Sequence, residues 1–202
     1  MKGKFIVFEG IDKSGKETQA KKLVEYLKSN GFDAIYTEEP TPNNPIGLLI
    51  KEWLDKKIEI HSGEAITLLY AADRYEHLKN VIIPSLHQGK IVVCDRYFYS
   101  TIAYESVAFG IDKKWIIELH KGIQKPDVII FIDIDPEVSL KRQRDKPNDR
   151  LEKLELLQKV RNAYKEMIDE FGFFALNGNR PIEEIFNDVK SIVDKILFKT
   201  QL

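Results

Sequence analysis

Residues 5 to 18 have the sequence FIVFEGIDKSGKET, and the rest of the chain is most easily interpreted from this stretch. Its first four residues are apolar without alternation, which predicts a strand buried on both faces. Residues 20 to 27 then place apolar side chains at helical spacing. Between the two stands Gly10-x4-Gly15-Lys16, which completes the strand, glycine loop and helix context that a P-loop requires.

The P-loop predicts a site for the phosphate chain of a nucleotide. Gly10 and Gly15 let the backbone curl until successive N–H groups point at phosphate oxygens. The helix N-terminus adds partial positive charge, and Lys16 supplies a full charge. Residue 17 departs from the motif, because Glu17 stands where a Ser or Thr hydroxyl usually helps to hold Mg²⁺. The alternative, a glycine-rich turn without a ligand, is disfavoured by the flanking strand and helix.

The composition is typical of one soluble globular domain. The chain has 202 residues, 43% of them hydrophobic and 31% charged. A formal net charge of −1 gives no global field for nucleic acid or a membrane, so neither is expected as a partner. Cys94 is the single cysteine, which fits a reducing compartment, and no signal peptide or long apolar run is recognisable. We expect one domain over residues 1–202, located in the cytoplasm.

Four further short apolar segments alternate with helical patterns. They lie at residues 33–37, 91–94, 128–132 and 173–176. Five strands alternating with helices predict an α/β fold with a parallel sheet covered by helices on both faces. Ligands of such sheets bind at the carboxyl ends of the strands. Residues 62–86 predict one long helix that Pro84 kinks or ends.

Asp95 and Arg96 directly follow the apolar segment 91–94. A carboxylate at that strand end can organise Mg²⁺ and its waters, and the neighbouring guanidinium can bind a phosphate in a bidentate manner. A bare Asp-Arg pair is more often a surface ion pair. Its position after a buried strand of a P-loop protein favours the functional interpretation.

Tyr70 and Arg74 stand four residues apart on the predicted long helix and therefore share a face. An aromatic ring beside a guanidinium can stack on a planar base and hydrogen-bond its edge. The alternative is one half-buried aromatic residue and one solvated arginine. Spacing alone leaves both open.

The stretch 141–150 is basic and contains Arg142, Arg144 and Arg150. A charge run is usually a solvated face. Here it lies between two helices, where a phosphate-transferring P-loop enzyme would have a mobile lid that closes positive charge over the reacting groups. We predict such a lid at about residues 141–152, with Lys13 as a further cation in the P-loop. The four histidines lack metal-ligand spacing and are interpreted as ordinary surface or helix residues. They are His61, His77, His87 and His120.

Taken together, these motifs resemble the thymidylate kinase (dTMP kinase) family of P-loop nucleoside monophosphate kinases. The resemblance runs nearly end to end. It rests on FEGID with the P-loop, LLYAADR at 68–74, DRY at 95–97, ST and AY at 100–104, KPD at 125–127 and DRLE at 149–152. It implies a P-loop NTPase-type three-layer sandwich with sheet order 2-3-1-4-5, a homodimer, and Mg²⁺-dependent phosphoryl transfer from ATP to dTMP.

The resemblance also implies site residues. Those for ATP are Gly10, Ile11, Asp12, Lys13, Ser14, Gly15, Lys16, Glu17, Thr18 and Arg142, with residues 177–180 flanking adenine. Those for dTMP are Asp12, Glu39, Tyr70, Arg74, Arg96, Ser100, Thr101 and Tyr104. The catalytic residues are Lys16, Asp95, Arg96 and the lid arginines Arg144 and Arg150. Asp95, and Glu17 through water, would hold Mg²⁺.

Two departures from the family pattern leave alternatives open. Glu17 replaces the P-loop hydroxyl, and Glu38 stands where many members have an arginine that contacts the dTMP phosphate. The alternatives are a related P-loop kinase for another (deoxy)nucleotide or nucleoside, and a degenerate paralogue that binds nucleotides but transfers phosphate poorly.

Overall fold

A five-stranded sheet forms the centre of the computed structural model, which describes residues 3–142 and 149–198. All strands run parallel, in the order β2-β3-β1-β4-β5. They are β1 (Lys4–Glu9), β2 (Ala34–Glu38), β3 (Ile91–Asp95), β4 (Val128–Asp133) and β5 (Phe174–Asn177). The predicted parallel sheet and its strand order are confirmed.

Helices cover both faces of the sheet, as predicted. They are α1 (Lys16–Ser29), α2 (Pro45–Leu54), α3 (Gly63–His77), α4 (Ile83–His87), α5 (Phe98–Phe109), α6 (Lys113–Leu119), α7 (Pro136–Lys141), α8 (Leu154–Phe171) and α9 (Ile182–Phe198). Side-chain oxygens of Asn44 and Ser62 accept backbone N–H groups in the first turns of α2 and α3. Within the described ranges, no helix combines the length and apolar character that a membrane span requires.

Alternate side chains of β1 point into two separate hydrophobic clusters. Phe5 and Val7 belong to the larger cluster, which α3, α5 and α8 cover. Ile6 and Phe8 belong to the cluster beneath α1 and α9. Because successive side chains of a strand point to opposite faces and both faces of β1 are buried, residues 5–8 are all apolar. Cys94 is fully buried within the larger cluster.

The predicted long helix at residues 62–86 is divided in the structure. The helix α3 ends at His77, a π-helical turn occupies Leu78–Ile82, and α4 follows. Pro84 lies in the first turn of α4. Because proline has no N–H, a regular helix through this position would lose a hydrogen bond, and the wider turn precedes it instead.

Candidate active site

The loop after β1 has the backbone geometry that a phosphate cradle requires. Gly10 and Gly15 have φ angles of 150° and 96°, and Lys13 between them has a φ of 57°. A Cβ at Gly10 would lie 2.8 Å from the carbonyl oxygen of Ile132, which excludes a larger residue there. The predicted P-loop thus lies curled at the carboxyl end of β1, directly before α1.

Lys16 and Asp95 meet below this loop. Lys16 Nζ lies 3.9 Å from Asp95 Oδ1 and 3.4 Å from the Ile11 carbonyl oxygen. Burial lowers the pKa of Lys16 and raises the pKa of Asp95, while the attraction between the two groups opposes both shifts. Asp95 Oδ1 is buried and accepts no hydrogen bond from the described residues. A carboxylate oxygen therefore remains available for a hard cation or its water.

An open groove of about 610 Å³ lies above this pair. Most residues predicted for ATP line it. They are Asp12, Lys13, Ser14, Gly15, Lys16, Glu17, Thr18 and Arg142. Gly10 and Ile11 are buried beneath the groove, and Ile11 packs in the core. Arg180, from the segment predicted to flank adenine, also lines the groove.

The two unusual acids near the groove both have partners. The exposed Glu17 forms an ion pair with Lys21 one turn along α1, and this hydrogen bond lowers the pKa of Glu17. After burial and the charge of Glu38, the charge of Glu17 is a further cause of the raised pKa of Asp95. Glu38 accepts a hydrogen bond of 2.7 Å from the Tyr36 hydroxyl.

A second, narrower pocket of about 60 Å³ lies beside Arg96. It contains every residue that the sequence predicts for the monophosphate. These are Asp12, Glu39, Tyr70, Arg74, Arg96, Ser100, Thr101 and Tyr104. Asp12 lines both pockets and therefore marks the boundary between them.

Arg96 lines the narrow pocket and binds several groups around it. Its NH2 lies 2.5 Å from Asp12 Oδ1, and its NH1 donates to the Gly10 carbonyl and to Ser100 Oγ. The Tyr104 hydroxyl donates to Asp12 Oδ2 over 2.6 Å. Burial alone would raise the pKa of Asp12, but Arg96 and the other neighbouring donors and cations lower it to about 2. Asp12 is therefore ionised beside Arg96.

Arg74 is buried in a second charged network. Its Nε and NH2 both lie 2.7 Å from Glu39 Oε2, and its NH1 lies 3.2 Å from Thr101 Oγ1 and 2.7 Å from His120 Nε2. His77 Nδ1 lies 3.0 Å from the other oxygen of Glu39. Arg74 is 1% exposed, so the alternative of a solvated arginine is wrong.

The interpretation of the histidines as ordinary surface or helix residues is wrong for two of the four. His77 and His120 are 1% and 4% exposed and orient Glu39 and Arg74. Burial and, to a smaller extent, the charge of Arg74 lower the pKa of His120 to about 4, against the opposing hydrogen bond to the Ile116 carbonyl. His120 is therefore neutral, and its Nε2 can accept from Arg74.

The comparisons with known proteins agree with this geometry. The family model described as thymidylate kinase matches residues 8–189. The chain belongs to the thymidylate kinase family.

Individual relatives match over nearly their full length. The probable thymidylate kinase of Pyrococcus abyssi is 40% identical over 202 residues, covering 96% of this chain and 97% of the relative. The thymidylate kinase of Plasmodium falciparum is 40% identical over 195 residues, covering 96% and 91%. The solved thymidylate kinase of Candida albicans superposes with a TM-score of 0.84 at 29% identity, covering 96% and 92%.

The arginines predicted for the lid of this thymidylate kinase family member have different surroundings. Arg142 donates from NH1 to the Lys13 and Ser14 carbonyls and from NH2 to the Gly178 carbonyl, so it lies across the P-loop. Arg150 is turned away from both pockets, against the Trp53 ring and Glu59. Arg144 and half of the predicted lid at 141–152, namely residues 143–148, lie outside the described residues.

Two buried acids of this kinase fold were missed by the sequence reasoning. Glu9 accepts hydrogen bonds from Ser100 Oγ, from the Tyr164 hydroxyl and from the Tyr97 backbone N–H, and so holds the loop after β3. Glu105 lines the narrow pocket. An acid at the end of an apolar strand was a usable signal for Glu9. No pattern distinguished Glu105 from an exposed helical glutamate.

Proposed function

We propose that this chain transfers the γ-phosphoryl group of ATP to dTMP, giving dTDP and ADP. The observation that carries the proposal is the arrangement of two anion pockets that share Asp12, with Lys16 in one and Arg96 in the other. A donor phosphate chain in the P-loop groove would meet an acceptor monophosphate held by Arg96. Membership of the thymidylate kinase family identifies the acceptor as dTMP.

The reaction needs little covalent chemistry from the protein. An oxygen of the dTMP phosphate bonds to the γ-phosphorus, and the bond to the β,γ-bridging oxygen breaks with its electron pair leaving on ADP. This nucleophile is already ionised at neutral pH, so no general base is required. Positioning and charge neutralisation by Lys16 and Arg96 supply most of the rate.

The residues present fit Mg²⁺ as a cofactor, because a buried oxygen of Asp95 has no hydrogen-bond partner among the described residues. Asp95 would hold the ion, and Glu17 would contribute through water. When bound, Mg²⁺ neutralises charge on the phosphate oxygens. Lys16 then binds the same phosphates from the protein side.

The proposal extends to the basic segment and to assembly. Residues 141–152 would form a lid whose arginines, Arg144 or Arg150, stabilise the transferring group, and Arg150 would first have to leave its contacts with Trp53 and Glu59. The support for the lid is the basic sequence and the position of Arg142 across the P-loop. The chain would act as a cytoplasmic homodimer, without nucleic acid or membrane as a partner. Leu68 on α3 is 47% exposed and offers apolar surface for such a dimer, which light scattering in solution would test.

A coupled assay across dTMP, dUMP, thymidine and dCMP tests the function. We expect the highest kcat/KM with dTMP and loss of turnover when Mg²⁺ is chelated. Turnover with thymidine but not with dTMP would instead identify a nucleoside kinase. ATP binding without dTDP formation, with activity gained by Glu17→Ser, would identify a degenerate paralogue.

A further inference from the structure

Glu105 is a buried carboxyl group that the chemistry above does not use. It lies on α5, is 1% exposed and lines the narrow pocket beside Tyr70, Arg74 and Thr101. Its Oε2 has no hydrogen-bond partner among residues 3–142 and 149–198. An unsatisfied polar atom in the wall of a binding pocket is costly unless a ligand completes its hydrogen bonds.

The helix geometry places Glu105 at the base end of the pocket. Thr101 and Glu105 are four residues apart on α5, as Tyr70 and Arg74 are on α3, so each pair shares a face. Thr101 accepts a hydrogen bond from Arg74, so these two residues lie opposite each other. Glu105 then faces Tyr70: burial raises the pKa of the Tyr70 hydroxyl, and the charge of Glu105 is the next largest cause.

Arg74 has little hydrogen-bonding capacity left for a base. Glu39, Thr101 and His120 already use most of its N–H groups. A pyrimidine stacked on Tyr70 presents an N–H and two ring carbonyls along its imide edge. Arg74 can donate to one carbonyl, and the pocket needs a further group that accepts from N3–H.

We propose that Glu105 reads the imide edge of the thymine ring as a neutral carboxylic acid: its carbonyl oxygen accepts from N3–H, and its O–H donates to the adjacent ring carbonyl. This inference rests on the proposed dTMP kinase activity and adds a specificity-determining residue to it. A carboxylate would offer acceptors only, and one of its oxygens would face a ring carbonyl without a hydrogen between them.

The surroundings of Glu105 support the neutral form. Burial raises its pKa to about 8. Charged and titratable groups reach the pocket from every wall. The cations among them favour an ionised Glu105, but burial has the larger effect and raises its pKa. The groups that reach the pocket are Tyr70 and Arg74 from α3, Asp12 from the P-loop, Glu39 from the loop after β2, Arg96 and Tyr97 after β3, Tyr104 from α5 and Asp149 before α8. Because the folded carboxyl ionises only near pH 8, it can donate at neutral pH.

The test compares the native enzyme with Glu105→Gln, in which the amide keeps one donor and one acceptor but cannot ionise. The kcat/KM for dTMP is measured for both between about pH 7 and pH 9, and the ratio of native to variant cancels the titration of dTMP, ATP and the other side chains. We expect this ratio to fall about tenfold over that range, because a pKa of about 8 leaves a tenth of the carboxyl neutral at about pH 9. Glu118→Gln, at an exposed position on α6, serves as the matched control, for which the ratio stays flat.

A ratio that stays level or rises with pH would overturn the proposal, since a rising ratio means that the carboxylate is the binding form. Failure of the proposed function looks different. In that case neither enzyme forms dTDP from dTMP at any pH, and no ratio exists to measure.

A second variant distinguishes whether Glu105 recognises the base or only stabilises the fold. Glu105→Leu removes the unsatisfied carboxyl, so we expect its thermal unfolding temperature to equal or exceed that of the native enzyme while its KM for dTMP rises at least about tenfold and kcat changes less. If both the unfolding temperature and kcat fell while KM stayed constant, Glu105 would be structural and the proposal would be wrong.

Discussion

Arg96 adopts a left-handed backbone conformation, with a φ of 70°, directly after β3. For a residue other than glycine this conformation costs on the order of 1 kcal/mol or more. Its N–H donates to the Phe8 carbonyl over 2.9 Å, and Glu9 holds the following N–H of Tyr97. These bonds to β1 fix the turn, which directs the guanidinium across β1 to Asp12. The strained backbone thus places one cation beside Asp12, where the two pockets meet.

Replacement of Lys16 by alanine tests the charge at the donor side of that junction. We expect kcat to fall at least about a hundredfold, because the transferring phosphoryl group loses a preorganised cation. The fold should survive, since Lys16 packs at the groove floor and not in either hydrophobic cluster. Steady-state kinetics and circular dichroism measure the two effects. Lys28→Ala, at the exposed end of the same helix, is the control, and an equal loss there would contradict the assigned role.

His120 predicts an acid dependence of stability. Its folded pKa of about 4 lies below the unfolded value of about 6.5, so the unfolded chain binds the extra proton between these limits. The free energy of unfolding should therefore fall as the pH drops through this window. His120→Gln should lose part of that slope in urea unfolding at about pH 7 and pH 5. His87→Gln, on the exposed part of α4, should leave the slope unchanged, and equal slopes in all three proteins would refute the assignment.

At the scale of elements, helix α2 and the loop before it pack without space between them. A Cβ at Gly47 would lie 2.1 Å from the Thr41 carbonyl oxygen and 2.8 Å from its nitrogen. Asp73 of α3 binds the same loop by accepting from the Thr41 N–H over 2.9 Å. The loop that carries Glu39 is thus held between two helices.

Gly47→Ala should disturb this packing because backbone atoms must move to admit the methyl group. We expect a loss of about 1–3 kcal/mol in the free energy of unfolding and a higher KM for dTMP, through displacement of Glu39. Urea unfolding and steady-state kinetics measure both. The neighbouring Leu48→Ala, half exposed on the same helix, should change neither quantity appreciably. Native-like behaviour of Gly47→Ala would show that the loop can shift without consequence.

Patterns within one element were sufficient for much of the fold and the site. Continuous apolar runs located the strands, and spacing of four residues put Tyr70 and Arg74 on one face. The division of the helix before Pro84 was only partly foreseen, since sequence shows that proline interrupts a helix but not which wider turn relieves it. Glu105 and His120 were missed because burial of a helical residue depends on which neighbouring helix covers it. Periodicity within one helix does not carry that information.

At the scale of the whole molecule, four of the five strands, β1 to β4, contribute side chains to both hydrophobic clusters. A defect on either face therefore weakens the layer that both share, and the two clusters should unfold together. The phosphate groove lies at the carboxyl edge of this sheet, away from the far ends of α1 and α9.

Leu27→Ala tests this coupling. Leu27 is fully buried at the end of α1 that is remote from the P-loop. We expect a loss of about 2–5 kcal/mol in the free energy of unfolding, from lost burial and a residual cavity. Unfolding followed by tryptophan fluorescence and by circular dichroism should give one coincident transition, and kcat at low temperature should stay near native. Two separated transitions would mean that the clusters unfold independently. Glu25→Ala, exposed on the same helix, is the control.

The ion pair between Asp12 and Arg96 has a consequence for selectivity. Before a nucleotide arrives, the carboxylate occupies the cation that the acceptor phosphate needs, much as a tethered competitive inhibitor would. Inorganic phosphate can displace it only by leaving Asp12 without its strongest partner. A nucleotide phosphate brings a sugar hydroxyl that can donate to Asp12 in the same event. We therefore expect only the complete ligand to replace the internal bond by two external ones, and free phosphate to compete weakly with dTMP.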